Sequence, residues 1–179
     1  MHDERERVKW LAVEGREPGK VFLRPVREAD LGLVLGWWND PQHLHCLGRE
    51  TPLTLAELRE RFRARPSATP HEDWFAVCLP EADRPVGVVV LLPRSPQPEL
   101  LALVALVIDP AERRKGLGRQ TLAQVGAWTA AQYPGVKPGL RLPAEAQTVR
   151  AFFEACGYQS SPTGMLVLEP CDTSGARPC

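Results

Sequence analysis

One uninterrupted apolar run, Leu100–Ile108, restricts what this chain can fold into more than any other stretch. A helix needs about 20 apolar residues to cross a bilayer, and this run is far shorter than that. Its length is typical of a strand that is buried on both faces of a sheet. Asp109 and Pro110 follow directly, and proline cannot donate to a strand ladder. The pattern therefore predicts a central strand over residues 100–108.

The segment behind this strand is basic and rich in glycine, and it leads into a helical pattern. It contains Arg113, Arg114, Lys115, Gly116, Gly118 and Arg119. Apolar residues then recur at helical spacing from Leu117 to about Gln132. The first N–H groups of a helix lack internal partners and carry the positive end of its dipole, and glycine lets a ligand approach the backbone closely. Strand, loop and helix together indicate a diphosphate site.

The motif Arg113-x-x-Gly116-x-Gly118, after a strand that ends in Val-Ile-Asp-Pro, resembles the acyl-CoA pyrophosphate loop of the GCN5-related N-acetyltransferases (GNAT). A P-loop and a Rossmann fingerprint both have different glycine spacing. The resemblance implies an α/β (α+β) fold with a mixed, mostly antiparallel central sheet that is flanked by helices. It also implies that the sheet is splayed between its fourth and fifth strands. The residues alone leave one alternative, an ordinary solvated basic turn.

The resemblance further implies acetyl-CoA as co-substrate, with no metal, and an N-acetyltransferase that acts on a primary amine by direct attack. The residues that it assigns to the cofactor are Leu106, Val107, Ile108, Arg113, Arg114, Lys115, Gly116, Leu117, Gly118, Arg119, Ala146 and Phe153. A backbone amide between Leu106 and Ile108, where the family's strand bulges, is expected to stabilise the oxyanion. Pantetheine is expected in the gap beside the strand predicted over 136–142.

The last predicted helix, Glu145 to Ala155, departs from the family. Ala146 stands where members commonly carry asparagine, and Phe153 stands where they commonly carry a tyrosine that protonates the CoA thiolate. Phenylalanine has no such proton to give. A second hypothesis therefore stays open, in which the chain is a non-catalytic acyl-CoA-binding or scaffold protein on the same fold.

Direct attack needs a neutral amine, and an ammonium group with a pKa of about 10 is mostly protonated at pH 7. Glu99, which opens the central strand, is the first candidate for the base, close to where some family members carry a catalytic glutamate. The alternative is that Glu99 is an exposed carboxylate at a strand start. His71, Glu72 and Asp73 are weaker candidates.

The beginning of the chain also resembles the family. Leu23-Arg24-Pro25, Asp30 and the stretch Trp37-Trp38-Asn39-Asp40-Pro41 are similar to the first strand and helix of two branches. One branch contains ribosomal-protein N-terminal acetyltransferases, and the other contains aminoglycoside 6'-acetyltransferases and siderophore acyltransferases. Such helices usually form one wall of the acceptor site. The alternative for the two tryptophans is that one packs in the core and one is partly exposed.

Residues 41–54 are predicted to be irregular. His43 and His45 would share a face only in a strand, and no third ligand is near, so we expect them to line the acceptor site rather than bind a metal.

Thr54 then begins a helix with a capping box to Glu57. Strands are predicted over 73–79 and 85–92, from Tyr158, and over 165–168.

These elements predict an N-terminal arm over residues 1–18, one acetyltransferase domain over 19–168 and a tail over 169–179.

The 22 basic residues equal the 22 acidic ones, so no overall field draws the chain to nucleic acid or to an anionic membrane. A third hypothesis, RNA contact through the arginines at 59–65, is less favoured, because they do not share one helix face.

The odd count of 5 cysteines, without metal spacing or a signal-peptide pattern, predicts a cytoplasmic location. The acceptor is expected to be a small-molecule or peptide amine, and the sequence leaves a homodimer open.

Overall fold

The computed structural model describes residues 19–46, 51–64, 72–92 and 100–169. The strands are β1 (Phe22–Pro25), β2 (Asp73–Leu79), β3 (Ala82–Leu92), β4 (Leu100–Ile108), β5 (Lys137–Leu140), β6 (Tyr158–Ser160) and β7 (Leu166–Leu168). The helices are α1 (Leu31–Trp38), α2 (Pro41–Cys46), α3 (Leu55–Ala64), α4 (Leu117–Gln132) and α5 (Gln147–Ala155), with 3-10 turns at Glu28–Asp30 and Pro110–Glu112. The predicted arm and residues 170–179 of the predicted tail lie outside the described residues.

The strands form one seven-stranded sheet in the order β1-β2-β3-β4-β5-β7-β6. Every pairing is antiparallel except that of β4 with β5. That parallel pairing covers only Leu100–Ala102 against Lys137–Gly139, after which the two strands diverge. The expected mixed sheet, splayed between its fourth and fifth strands, is therefore confirmed.

Strand β4 contains a bulge at Val104. Val90 of β3 pairs with Ala105, but the next residue, Leu91, pairs with Leu103, so Val104 has no counterpart on β3. An extra residue in one strand reverses the side-chain alternation behind it. The bulge therefore decides which face of the sheet each later side chain of β4 reaches.

The reversal is visible in the two cores of the protein. Leu103 packs with α4 and α5, whereas Ala105 and Val107 pack with α1 and α3 on the opposite face. Leu106 and Ile108 return to the α4 and α5 side. The bulge was expected between Leu106 and Ile108 but lies earlier in the strand, at Val104. Its effect is to direct the side chains of Leu106 and Ile108 toward α4 and α5.

Both tryptophans of α1 are buried, with exposed fractions of 5% for Trp37 and 4% for Trp38. The Trp38 ring meets Trp74 edge-on at 4.7 Å. The alternative that one tryptophan is partly exposed is wrong, because α1 presents two successive positions to the sheet and to α3.

Several predicted boundaries change. Residues 41–46, predicted to be irregular, form α2, with Pro41 in the first turn, where a missing N–H costs nothing. β3 begins at Ala82, β5 is shorter than the predicted 136–142, and α5 begins at Gln147.

No helix in the described ranges is long and apolar enough to cross a membrane.

The arginines of α3 face acidic partners. Arg61 pairs with Glu72 at 2.7 Å, and Arg63 pairs with Glu28 at 2.7 Å. The predicted capping box is present, since Glu57 N donates to Thr54 Oγ1 and Thr54 N donates to Glu57 Oε2. These contacts tie α3 to the Glu28–Asp30 turn and to the residue before β2, which gives the RNA hypothesis no support.

Candidate active site

The diverging edge of β4 leaves backbone groups facing the gap. Asp109 N donates to Val86 O on β3 at 2.9 Å. Backbone groups alternate sides along a strand, so those of Ile108 and Leu106 face away from β3. The Ile108 carbonyl indeed accepts from Arg113 Nε at 3.2 Å. The Leu106 amide therefore faces the space between β4 and β5.

A cleft of about 730 Å³ continues from this gap to the glycine loop. The predicted cofactor residues on its wall are Leu106, Ile108, Arg113, Arg114, Gly116, Leu117, Gly118, Arg119 and Phe153. Residues that the sequence did not assign to the cofactor also line it, namely Glu112, Thr148, Val149, Phe152 and His43, the last of which was expected at the acceptor site. Helical spacing from Phe153 could have indicated Val149, whereas the local pattern at His43 indicated the acceptor site and not its contact with the glycine loop.

Three predicted residues do not lie on this wall. Val107 points into the core on the opposite face, because the bulge reverses the alternation. Lys115 pairs with Glu112 at 2.7 Å, and its side chain is 58% exposed. Ala146 is buried at the N-cap of α5.

The loop backbone is shaped to present N–H groups. Arg114 and Gly116 have positive φ angles of 63° and 78°. The first helical hydrogen bond of α4 runs from Gln120 N to Gly116 O, so the three N–H groups before Gln120 precede the helical ladder. A Cβ at Gly116 would meet no heavy atom within 4 Å, so this backbone lies open. The arrangement suits an anion at a helix N-terminus.

Two arginines of the loop contact residues of other elements. Arg113 contacts Asp40 Oδ2 at 3.2 Å and His43 Nε2 at 3.4 Å. Arg119 donates to the carbonyl of Ala155 at 3.1 Å, which fixes the end of α5 to α4. The charges of Arg113 and Arg119 are therefore held in place before any ligand arrives.

Aromatic rings from α5 form the wall that faces the loop. Phe153 is buried and meets Phe152 and Tyr158 edge-on at 5.3 and 5.2 Å. Phe152 is 37% exposed. A Cβ at Gly118 would lie 3.0 Å from Phe152 Cζ, so the ring rests almost on the backbone of the first turn of α4. Burial raises the pKa of Tyr158, which keeps its hydroxyl protonated behind Phe153.

The candidates for the base are only partly described. Glu99 and His71 lie outside the described residues. Glu72 accepts from Arg61 at 2.7 Å and from Trp74 Nε1 at 2.9 Å, so its carboxylate holds α3 against the sheet. The described ranges contain no group of three or more His, Cys, Asp or Glu side chains that could hold a metal ion.

A sheet that splits beside a glycine loop at a helix N-terminus is the arrangement expected of an acyl-CoA-dependent acyltransferase. The chain belongs to the acetyltransferase (GNAT) domain family, whose profile matches residues 20–159. By family it is an N-acetyltransferase. No curated protein matches its sequence significantly.

Solved structures share the fold. Spermidine N-acetyltransferase from Vibrio cholerae, in complex with CoA and spermine, has 19% identity and a TM-score of 0.68, over 79% of this chain and 82% of that chain. An acetyltransferase from Thermus thermophilus has 25% identity and a TM-score of 0.62, over 83% and 94%. Aminoglycoside acetyltransferase AAC(6')-Ib, in complex with coenzyme A, has 20% identity and a TM-score of 0.62, over 82% and 91%.

Proposed function

We propose that this protein transfers an acetyl group from acetyl-CoA to a primary amine by direct attack. The observation that carries the proposal is the continuous cleft from the gap at Leu106 to the loop at Gly116. One end offers a strand edge to an amide-bearing pantetheine arm, and the other offers helix N–H groups to a diphosphate. The residues present therefore fit the co-substrate.

The chemistry needs a donor at the thioester oxygen. The amine nitrogen first bonds to the acyl carbon, and negative charge develops on the carbonyl oxygen. The carbon–sulfur bond then breaks. The gap-facing amide of Leu106 is the proposed donor for this oxyanion. One such donor contributes about 3 kcal/mol to transition-state stabilisation when it is well placed.

The acceptor proposed here is a small-molecule amine. The support is the ligands of two structures with the same fold, spermine for the enzyme from Vibrio cholerae and ribostamycin for AAC(6')-Ib. A peptide amine is the other arm of the test. The cytoplasmic location stays a prediction from the cysteine content.

The test is thermal unfolding with and without acetyl-CoA, followed by release of free thiol with spermidine, an aminoglycoside and a peptide amine. Saturation at about 100 times Kd stabilises a fold by about 2.7 kcal/mol, so the melting temperature is expected to rise by about 5–11 °C. Thiol release above the rate without amine identifies the acceptor class. No shift in melting temperature would contradict the cofactor assignment.

Glu99 is the proposed base, and its test is a pH profile. Glu99→Gln is expected to lower turnover most at neutral pH, where most of the amine carries the proton that must be removed. At high pH the amine is already neutral, so wild type and variant are expected to converge. Parallel profiles across the whole range would exclude Glu99 as the base.

Phe153 favours a second candidate function, in which the protein binds acyl-CoA without catalysing a reaction. The ring lies on the cleft wall and has no proton to donate to a departing thiolate. A thiol with a pKa of about 8.5 leaves without much help, however, so catalysis does not require that donor. A melting shift with acetyl-CoA but no thiol release from any amine would favour this second candidate.

A further inference from the structure

A cluster of three side chains joins α2 to the glycine loop at the rim of the cleft. Arg113 Nη2 lies 3.2 Å from Asp40 Oδ2 and 3.4 Å from His43 Nε2, and its Nε donates to the Ile108 carbonyl at 3.2 Å. His43 Nδ1 lies 3.0 Å from the carbonyl oxygen of Trp37. One guanidinium group therefore connects the loop, the end of the central strand and a helix 70 residues away in sequence.

The contacts define the state of the His43 ring. A carbonyl oxygen only accepts, so Nδ1 carries the proton in the contact with Trp37, and the lone pair of Nε2 accepts from Arg113. Burial lowers the pKa of His43; the Trp37 carbonyl and Asp40 oppose this, and the charge of Arg113 lowers it further. The ring is therefore neutral at pH 7 and serves as an acceptor.

We propose that Asp40 and His43 are positioning residues for acyl-CoA, which hold Arg113 against the end of β4 so that the loop keeps its anion-binding shape. The inference rests on the proposed function. Positive φ angles at Arg114 and Gly116 make this loop conformation one that needs support from neighbours. A loop ordered before binding loses less entropy when the ligand arrives, which raises affinity.

The direction in which Asp40→Asn changes the affinity for CoA distinguishes a positioning role from a simple effect of charge. Asp40→Asn removes a negative charge beside an anion site, so Coulomb attraction alone would make CoA bind more tightly. Positioning predicts the opposite, because Arg113 loses its ion pair with the Asp40 carboxylate and the loop loses order. We expect the Kd for CoA, measured by calorimetry at pH 7.5, to rise about tenfold.

Glu112→Gln is the matched control. Glu112 lines the same cleft but pairs with Lys115, at 2.7 Å, rather than with Arg113. Its neutralisation removes a comparable charge from the rim and releases Lys115 toward the anion, so CoA is expected to bind as tightly or more tightly. Melting of each variant without ligand shows whether the fold is intact.

His43→Gln tests the second positioning residue through pH. Glutamine keeps an acceptor for Arg113 but does not titrate. Protonation of His43 in wild type would place its charge beside that of Arg113, with Nε2 and Nη2 3.4 Å apart. Asp40 is the anion beside both, and the charged side chains of Glu112 and Arg114 lie on the same cleft. The probe is 3'-dephospho-CoA, because a phosphate monoester itself titrates with a pKa of about 6.

We expect the wild-type Kd for this probe to rise about tenfold from pH 7.5 to pH 5.0, and that of His43→Gln to change less than about threefold. If wild type binds CoA while Asp40→Asn binds as tightly or more tightly, the positioning inference is wrong and the proposed function stands. Parallel pH curves would remove His43 from the inference. A wild type that does not bind CoA would overturn both.

Discussion

Gly116→Asp is expected to raise the Kd for acetyl-CoA by about a hundredfold or more while the protein stays folded. The new side chain meets open space, since no heavy atom lies within 4 Å of its Cβ position, so it enters the cleft and not the core. Its carboxylate then stands beside the N–H groups that would bind the diphosphate. The positive φ of 78° adds a backbone strain of about 1 kcal/mol, which aspartate tolerates better than most residues.

Gly116→Asn is the matched control, because asparagine has the same size and a similar backbone cost but no charge. We expect it to weaken binding only about tenfold, through the space that it occupies. Calorimetry with acetyl-CoA gives the affinities, and melting curves without ligand give the cost to the fold. If both variants bind like wild type, the loop does not hold the diphosphate.

Asp30→Ala is expected to lower the free energy of unfolding by about 3–5 kcal/mol, the usual loss when one partner of a buried ion pair is removed. Arg24 Nη1 and Nη2 donate to the two Asp30 carboxylate oxygens at 2.7 and 3.0 Å, and both residues are buried. Asp30 also accepts from Arg27 N at 2.7 Å. The pair ties β1 to the start of α1, so its loss leaves a charged guanidinium in the core.

The control replaces both partners, as Arg24→Met with Asp30→Leu, which leaves no buried charge and is expected to cost much less. Denaturant melts of the two variants compare the free energies directly, and a loss below about 1 kcal/mol for Asp30→Ala would contradict the buried-pair argument. Burial alone would raise the pKa of Asp30, but the hydrogen bonds and charges of Arg24 and Arg27 lower it overall. Its stabilisation is therefore complete above the ordinary pKa of 3.8 and is lost as the pH falls below it.

This pair also explains part of the pattern that resembled the family at the sequence level. Leu23-Arg24-Pro25 followed by Asp30 marked the first strand and helix, but the sequence did not say why an arginine and an aspartate stand there. The structure shows that they meet inside the fold, where a charged pair carries the contact between two elements.

The sequence by itself determined the local elements of the site. The apolar run at 100–108 became β4, the pattern from Leu117 to Gln132 became α4, and the glycine loop lies between them. Each is specified by neighbouring residues: by side-chain period, by a proline that ends a strand and by glycines that permit positive φ. The resemblance then assigned the family.

Only the tertiary structure decided which side chains face the cleft and what holds them there. The bulge at Val104 reversed the direction of Val107 and turned Leu106 and Ile108 toward α5, although the sequence of β4 alone shows one continuous apolar run. Two side-chain partners of Arg113, His43 in α2 and Asp40 just before it, are distant in sequence. A bulge depends on the register with a second strand, and a long-range contact depends on the path of the whole chain, so neither is visible in a local pattern.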